Sequence, residues 1–426
     1  MKNNEILLHE SRALGEKYYE INHKSGLKII VCPKKLATFY AIFGTDYGAA
    51  DSEFYVGDRK IVLPEGTAHF LEHKLFESED GVTADERFAR LGAETNAYTS
   101  NTVTKYLFSS TKNFKECFAE LIRFVSSPYF TKQNVKKEQG IIEQEIAMCD
   151  DDPYDRVREN CMAAMYSGTG LAKKVCGTAE TIAKITPEVL YDAYGAFYRP
   201  ENMILSVCGD VTPEEVLEIC DREIKIEDRE PVRRVEFPET KGVAKNRISS
   251  KMQVARPIFY IGMKDATEKD GGKRIERWFA ATILNNMLFS GTGELYNRMV
   301  DEGLVMPSVS FGYSATKYGS WNYFSGISDD PERVLELVSE KCETAKTSLD
   351  EKDFERCRRA VLSGYIKSYD STAEIADDNM SELIAAGVDP FSVPEMIENM
   401  KFENILQLAK ELFCEERYVL STIEPL

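Results

Sequence analysis

"AHFLEHKLF" at Ala68–Phe76 and "ATILNNMLF" at Ala281–Phe289 lie 213 residues apart, and their Ala, Leu, Leu and Phe positions recur in register. A second pair agrees: "ENMILS" at Glu201–Ser206 and "ERYVLS" at Glu416–Ser421 are offset by 215 residues. Self-similarity at about half the chain length points to one structural unit used twice. Each copy mixes alternating, β-branched runs with amphipathic helical patterns. The expected fold class is therefore α+β: two homologous α/β sandwich halves, each a mixed or antiparallel sheet flanked by helices, related by internal duplication.

Working outward from Ala68, "KYYEINHKSGLKIIVC" reads as strand, turn at His23–Gly26 and strand, and "TFYAIFGTDYGAAD" as a third strand. The chain turns at Pro64 and Gly66 and enters a helix near Thr67, a candidate N-cap. Further helices are expected over residues 84–91, 113–124, 132–148 and 187–197. "KIEDREPVRRVEFPETKGVAKNRISSK" is charged, broken by Pro231, Pro238 and Gly242, and lacks a sustained apolar period. The sequence thus divides into a first domain over 1–224, a linker over 225–251 and a second domain over 252–426.

The chain has 426 residues, 43% of them hydrophobic and 29% charged, which suits two globular domains. Its formal charge of −18 repels phosphate backbones, so nucleic acid is not an expected partner. No apolar run reaches the ~20 residues that span a bilayer, so no membrane partner is expected either. The acidic N-terminal stretch fits neither a secretory signal nor a transit peptide, and the expected location is the cytoplasm. The ten cysteines, Cys32 to Cys414, contain no CxxC pair and read as reduced structural thiols rather than metal ligands.

Two of the four histidines, His69 and His73, sit four apart with Glu72 between them. On a helix this spacing places both imidazoles on one face, about 5–6 Å apart, where both can aim a ring nitrogen at one zinc ion. Glu72 lies beside the place left for water and can take its proton. The remaining histidines, His9 and His23, lie in the N-terminal arm and first turn, where solvated structural roles are expected. A third ligand is sought in "VKKEQGIIEQEIAMCDDDP". Glu138 and Glu145 are two turns apart on one face, with Val135, Ile142, Ile146 and Met148 expected to hold the helix to a core. Glu145 would complete the site and Glu138 would orient a histidine. Glu143 competes with Glu145 but falls on a different face. The second copy has Thr282, Asn285 and Asn286 in place of His69, Glu72 and His73, and Gly364 and Cys357 in place of Glu145 and Glu138.

The order HxxEH, "EQGIIEQE" at Glu138–Glu145, "GAETNAYTS" at Gly92–Ser100 and the long stretch from Gly177 through "RPENMILSVCGDVTPEEV" resemble the pitrilysin/insulinase family of zinc metallopeptidases, which includes the mitochondrial processing peptidases. The resemblance covers nearly the whole chain and is strongest to short bacterial two-domain members. It implies one zinc ion per chain on His69, His73 and Glu145, with Glu72 as base. It also implies a clamshell formed by pairing with a second copy or a paralogue. Asn96, Ala97 and Tyr98 match the family's strand that pairs with an extended peptide substrate, an example of β-augmentation. One departure stands out. Where the family carries RxxxGLxY, Gly303 and Leu304 align but Met299 and Met306 replace the Arg and Tyr; either Arg298, one residue out of register, or Tyr296 substitutes, or a partner supplies the group, or activity is low. The implied function is a zinc endopeptidase or oligopeptidase acting on extended peptides. The alternative is a metal-holding accessory subunit, weakly active or inactive, of a peptide- or protein-modification complex.

Overall fold

The structure is a computed structural model that describes residues 4–226, 229–237 and 241–426. Its first strands are β1 (Glu5–Ser11), β2 (Glu16–Asn22), β3 (Lys28–Pro33), β4 (Phe39–Thr45), β5 (Glu53–Val56), β6 (Arg59–Val62), β7 (Ala93–Thr99), β8 (Thr104–Ser110), β9 (Met203–Gly209) and β10 (Val232–Arg234). Seven of them form one sheet in the order β1-β2-β3-β9-β4-β8-β7, and β10, β5 and β6 form a small second one. "FYAIFGT" and "MILSVCG" are nearly continuous apolar runs because β4 and β9 are central and covered on both faces.

The second half contains β11 (Arg247–Met252), β12 (Ile258–Asp265), β13 (Ser310–Thr316), β14 (Gly319–Ile327) and β15 (Tyr418–Pro425), ordered β11-β15-β12-β14-β13. This repeats β3-β9-β4-β8-β7 strand for strand. β3 runs parallel to β9 as β11 does to β15, and every other neighbouring pair in both sets is antiparallel. The matched sextets ENMILS and ERYVLS open β9 and β15. The duplicated α+β architecture expected from sequence is the one observed.

Five helices of the first half matter below: α1 (Thr67–Leu75), α2 (Ala84–Leu91), α3 (Phe114–Val125), α4 (Lys132–Asp151) and α5 (Pro153–Met165). Gly66, not Thr67, is the N-cap of α1. Gly66 has φ +87°, and a Cβ there would lie 2.6 Å from the Cys176 carbonyl oxygen; one on Gly177 would lie 2.6 Å from that of Glu65. Two backbones cross where only glycine fits, which fixes the entry into α1.

Among the described residues, the chain packs as two compact units that exchange segments. One comprises the chain up to Ile146, Lys174–Glu236 and Lys367–Phe391; the other comprises Ala147–Lys173, Phe237–Ile366 and Ser392–Leu426. In the first unit the π-helical turns Ile375–Glu382 pack on β3, β4 and β9, and in the second α5 packs on β12 and β15. The division at 225–251 follows the repeat, while packing crosses it. That stretch is not irregular throughout either. Val232–Arg234 pairs with β5, and residues 247–251 begin β11; residues 227, 228 and 238–240, including Pro238, lie outside the described residues.

Two further expectations need correction. His23 is buried rather than solvated, held by Ser25 at 2.7 Å and Asp221 at 3.2 Å. Met148, expected to hold α4 to a core, is 74% exposed, because the apolar stripe of α4 is Val135, Ile142 and Ile146. All ten cysteines are free thiols.

Candidate metal centre

The site lies within the first unit, on α1 and α4. Ala68, Phe70, Leu71 and Leu75 bury α1 and leave His69 and His73 together on its more open side. Their ring centroids are 4.6 Å apart. Helix α4 buries Val135, Glu138, Ile142 and Ile146, a spacing of three or four residues. Glu138 therefore occupies a core position, and Glu145 falls just off that stripe, half-exposed and facing the histidines.

Glu145 Oε1 lies 3.5 Å from His69 Nε2, and Glu145 Oε2 lies 3.6 Å from His73 Nε2. One donor atom from each of the three residues lies within 4.8 Å of the other two. Zinc ligands at about 2.0–2.2 Å from the ion stand about 3.3 Å apart in a tetrahedron, so two imidazoles and a carboxylate placed in this way fit zinc after a small closure. Three protein ligands, all partly solvent-accessible, leave a fourth position open. Glu143 points to solvent and is not part of the set.

His73 Nδ1 lies 3.2 Å from Glu138 Oε1. The carboxylate can only accept, so Nδ1 carries the proton and Nε2 is free for a metal. Burial pulls the His73 pKa down, but the hydrogen bond to Glu138 and the charges of Glu145, Glu138 and Glu72 outweigh it, and the net shift is upward. The carboxyls are held below the usual range: Glu138 against its own burial by His73 and Lys74, and Glu145 chiefly by its hydrogen bond to His69. His69 Nδ1 is buried and has no hydrogen-bond partner among the described residues, so no carboxylate stands behind that ring as Glu138 does behind His73.

Glu72 is buried, and its Oε2 accepts a hydrogen bond of 2.6 Å from Thr99 Oγ1. Thr99 was not singled out in the sequence, although it lies inside GAETNAYTS, and only the pairing of strands brings it to the helix. Thr99 ends β7, which is an edge strand as expected, with β8 its only partner among the described residues. On the same strand Asn96 Oδ1 accepts from the Ala97 N–H at 2.8 Å, and Tyr98 donates to Asp377 at 3.0 Å. Lys105, paired with Tyr98 across the strands, is buried with its ammonium on Asp377, Ser381 and Glu382. The π-helical turns thereby hold the β7–β8 hairpin.

Arg298 lies in the second unit, where its Nε pairs with Glu302 at 2.8 Å on the surface of the helix Glu294–Asp301. Tyr296 donates to the Pro307 carbonyl at 3.0 Å. Met299, in the place of the expected arginine, is fully buried.

The sequence profile described as Insulinase (Peptidase family M16) matches residues 64–179, and that described as Peptidase M16 inactive domain matches residues 184–361. A Bacillus subtilis protein described as uncharacterized zinc protease YmfH is 31% identical over 423 residues, 98% of each chain. The chain belongs to peptidase family M16. The putative M16-like peptidase of Alicyclobacillus acidocaldarius has the same fold, with a TM-score of 0.91 at 28% identity over 100% of this chain and 99% of that one. The probable mitochondrial-processing peptidase subunit beta of Schizosaccharomyces pombe is 23% identical over 380 residues, 84% of this chain and 82% of its own. The M16 profile over 64–179 contains His69, Glu72, His73, Glu138 and Glu145, while the inactive-domain profile covers Thr282, Asn285 and Asn286. The five candidate residues thus lie under the first profile, and the residues that replace the histidines and Glu72 lie under the second.

Proposed function

We propose that this M16 protein is a zinc-dependent endopeptidase or oligopeptidase that hydrolyses extended peptides, with Glu72 as general base. The observation that carries the reading is the convergence of His69, His73 and Glu145 beside a buried carboxylate whose two oxygens differ. Glu72 Oε2 is engaged by Thr99, while Oε1 has no hydrogen-bond partner among the described residues. Zinc bound by the three ligands supplies Lewis-acid polarisation of water and of the scissile carbonyl. Glu72 takes the proton from the attacking water and passes it to the amine as the C–N bond breaks. Glu138 keeps the His73 Nδ1 proton in place throughout. The free edge of β7 offers Asn96, Ala97 and Tyr98 to pair with the peptide backbone; Asn96 would release the Ala97 N–H as the peptide takes it up. Arg298 is the candidate to steady the peptide carbonyl. Pairing with a second copy or a paralogue, and a cytoplasmic setting, belong to the same proposal. Among the described residues, no helix is long and apolar enough to cross a membrane.

Met299 and Met306, where the resemblance leads one to expect Arg and Tyr, favour a second reading: a metal-holding accessory subunit with little or no cleavage of its own. Quenched-peptide hydrolysis with and without chelator, by the chain alone and with a candidate partner chain, separates the two. Chelator-sensitive cleavage by wild type that is lost in Glu72→Gln supports the peptidase. Full zinc occupancy without cleavage under any pairing sinks it in favour of the accessory reading.

A further inference from the structure

One buried charge next to the site takes no part in the steps above. Lys74 is 0% exposed. Its Nζ lies 2.5 Å from Glu77 Oε2, 3.5 Å from the Asn134 carbonyl oxygen and 3.6 Å from Glu138 Oε2. Glu138 is buried too and gives its other oxygen to His73 Nδ1. The three groups form a row of ammonium, carboxylate and imidazole, and Nε2 of that imidazole faces Glu145. A buried ion pair is a poor way to fill a core, since apolar residues of similar volume usually serve as well or better.

The second copy shows that this fold can do without the pair. At the 213-residue offset that aligns AHFLEHKLF with ATILNNMLF, Met287 stands where Lys74 does, and at the 219-residue offset that aligns buried Val135, Glu138 and Ile146 with buried Phe354, Cys357 and Tyr365, Cys357 stands where Glu138 does. Both are buried. The copy that lacks the histidines fills both positions with uncharged side chains, and the copy that has them keeps the charged pair. Packing alone does not account for that split.

We propose that Lys74 is a positioning residue for the metal centre. Acting through Glu138, it fixes the ring plane and the Nδ1–H tautomer of His73. With Lys74 present, the Glu138 carboxylate is held at both oxygens, and turning away from Nδ1 also breaks its contact with the ammonium. Without Lys74, one contact of 3.2 Å holds it. The inference rests on the reading of His69, His73 and Glu145 as a zinc site, but not on peptide cleavage.

The test is zinc affinity, measured by competition with a chromophoric chelator. The proteins compared are wild type, Lys74→Met, Glu138→Gln, and the double variant Lys74→Met/Glu138→Cys, which reproduces Met287 and Cys357. Lys74→Met and Glu138→Gln should each weaken zinc by about 10–100-fold. The double variant should be within about threefold of Glu138→Gln, because both changes act through one contact. Metal-free thermal unfolding of the double variant should remain cooperative. A second readout is direct: with only four histidines, nitrogen-15 labelling resolves the His73 tautomer, assigned with His73→Ala. At alkaline pH, where the ring is neutral, metal-free wild type should show the Nδ1–H form, and Lys74→Met a mixture. Lys74→Met with wild-type affinity and tautomer overturns the proposal. So does loss of the fold in both Lys74→Met and the double variant, which would make Lys74 structural. Wild type that binds zinc no better than His73→Ala overturns the metal site itself, an outcome distinct from a zinc-binding wild type indifferent to Lys74.

Discussion

The α1–α4 pair of the first half and its counterpart, the helices Gly271–Phe289 and Glu351–Ser368, occupy the same places in one repeated topology and do opposite things with their polar atoms. In the first copy the donor atoms of His69, His73 and Glu145 converge without satisfying one another as close hydrogen bonds do. In the second they turn inward. Thr282 bonds the Trp278 carbonyl at 2.8 Å, Asn286 bonds the Thr282 carbonyl at 3.0 Å, and Asn285 bonds Asn322 at 2.7 Å. Gly364, at the position of Glu145, offers no side chain. Asn285 Oδ1 is buried without a partner, so what separates the copies is not an unsatisfied atom but three donor side chains aimed at one point, beside the apolar register common to both.

The largest expected effect comes from making the first copy resemble the second. His73→Asn should abolish stoichiometric zinc, read by metal analysis of purified protein, together with all chelator-sensitive cleavage. Retention of one zinc per chain would remove His73 from the ligand set. Glu72→Gln should keep the zinc and lower cleavage by about 10²–10⁴-fold, the usual contribution of a general base. Normal turnover in that variant would assign the proton to another group.

A titration sharpens the comparison further. The metal-free pKa of His73 is raised, so its ring holds a proton to a pH above the ordinary 6.5 that zinc must displace. The carboxyl of Glu145, shifted down, stays ionised and adds nothing in this window. Zinc affinity should therefore fall as pH drops below the His73 pKa, by about tenfold per unit for one displaced proton. A flat affinity from pH 8 to 6 would mean that the ring is already neutral.

In the second copy, Asn285→Leu should lower stability by about 1–3 kcal/mol in a thermal or urea assay, because buried Asn322 then loses its partner. An unchanged protein would mean that this polar pair contributes nothing to the fold. The smallest effect is expected of Arg298→Ala, whose pair with Glu302 is exposed; stability should change by no more than about 0.5 kcal/mol. Cleavage reduced by about 10²-fold or more in that variant would mark Arg298 as the donor to the peptide carbonyl, and a smaller loss would leave it a surface cation.

Sequence by itself determined the duplication and the strand and helix types around it, and it singled out His69, Glu72, His73, Glu138 and Glu145 as candidates. Each is written in local spacing: period two for strands, three or four for helices, and two histidines one helical turn apart. Only the tertiary structure decided that Thr99 holds Glu72, that Lys74 stands behind Glu138, that His23 is buried on Asp221 and that Met148 faces solvent. These depend on contacts between residues far apart in the chain. Thr99 reaches Glu72 across 27 positions and Lys74 reaches Glu138 across 64, which no local periodicity encodes. The exchange of segments between the two compact units is of the same kind. A linear reading divides the chain where its polar composition changes, whereas packing assigns each helix to the sheet whose apolar face it covers.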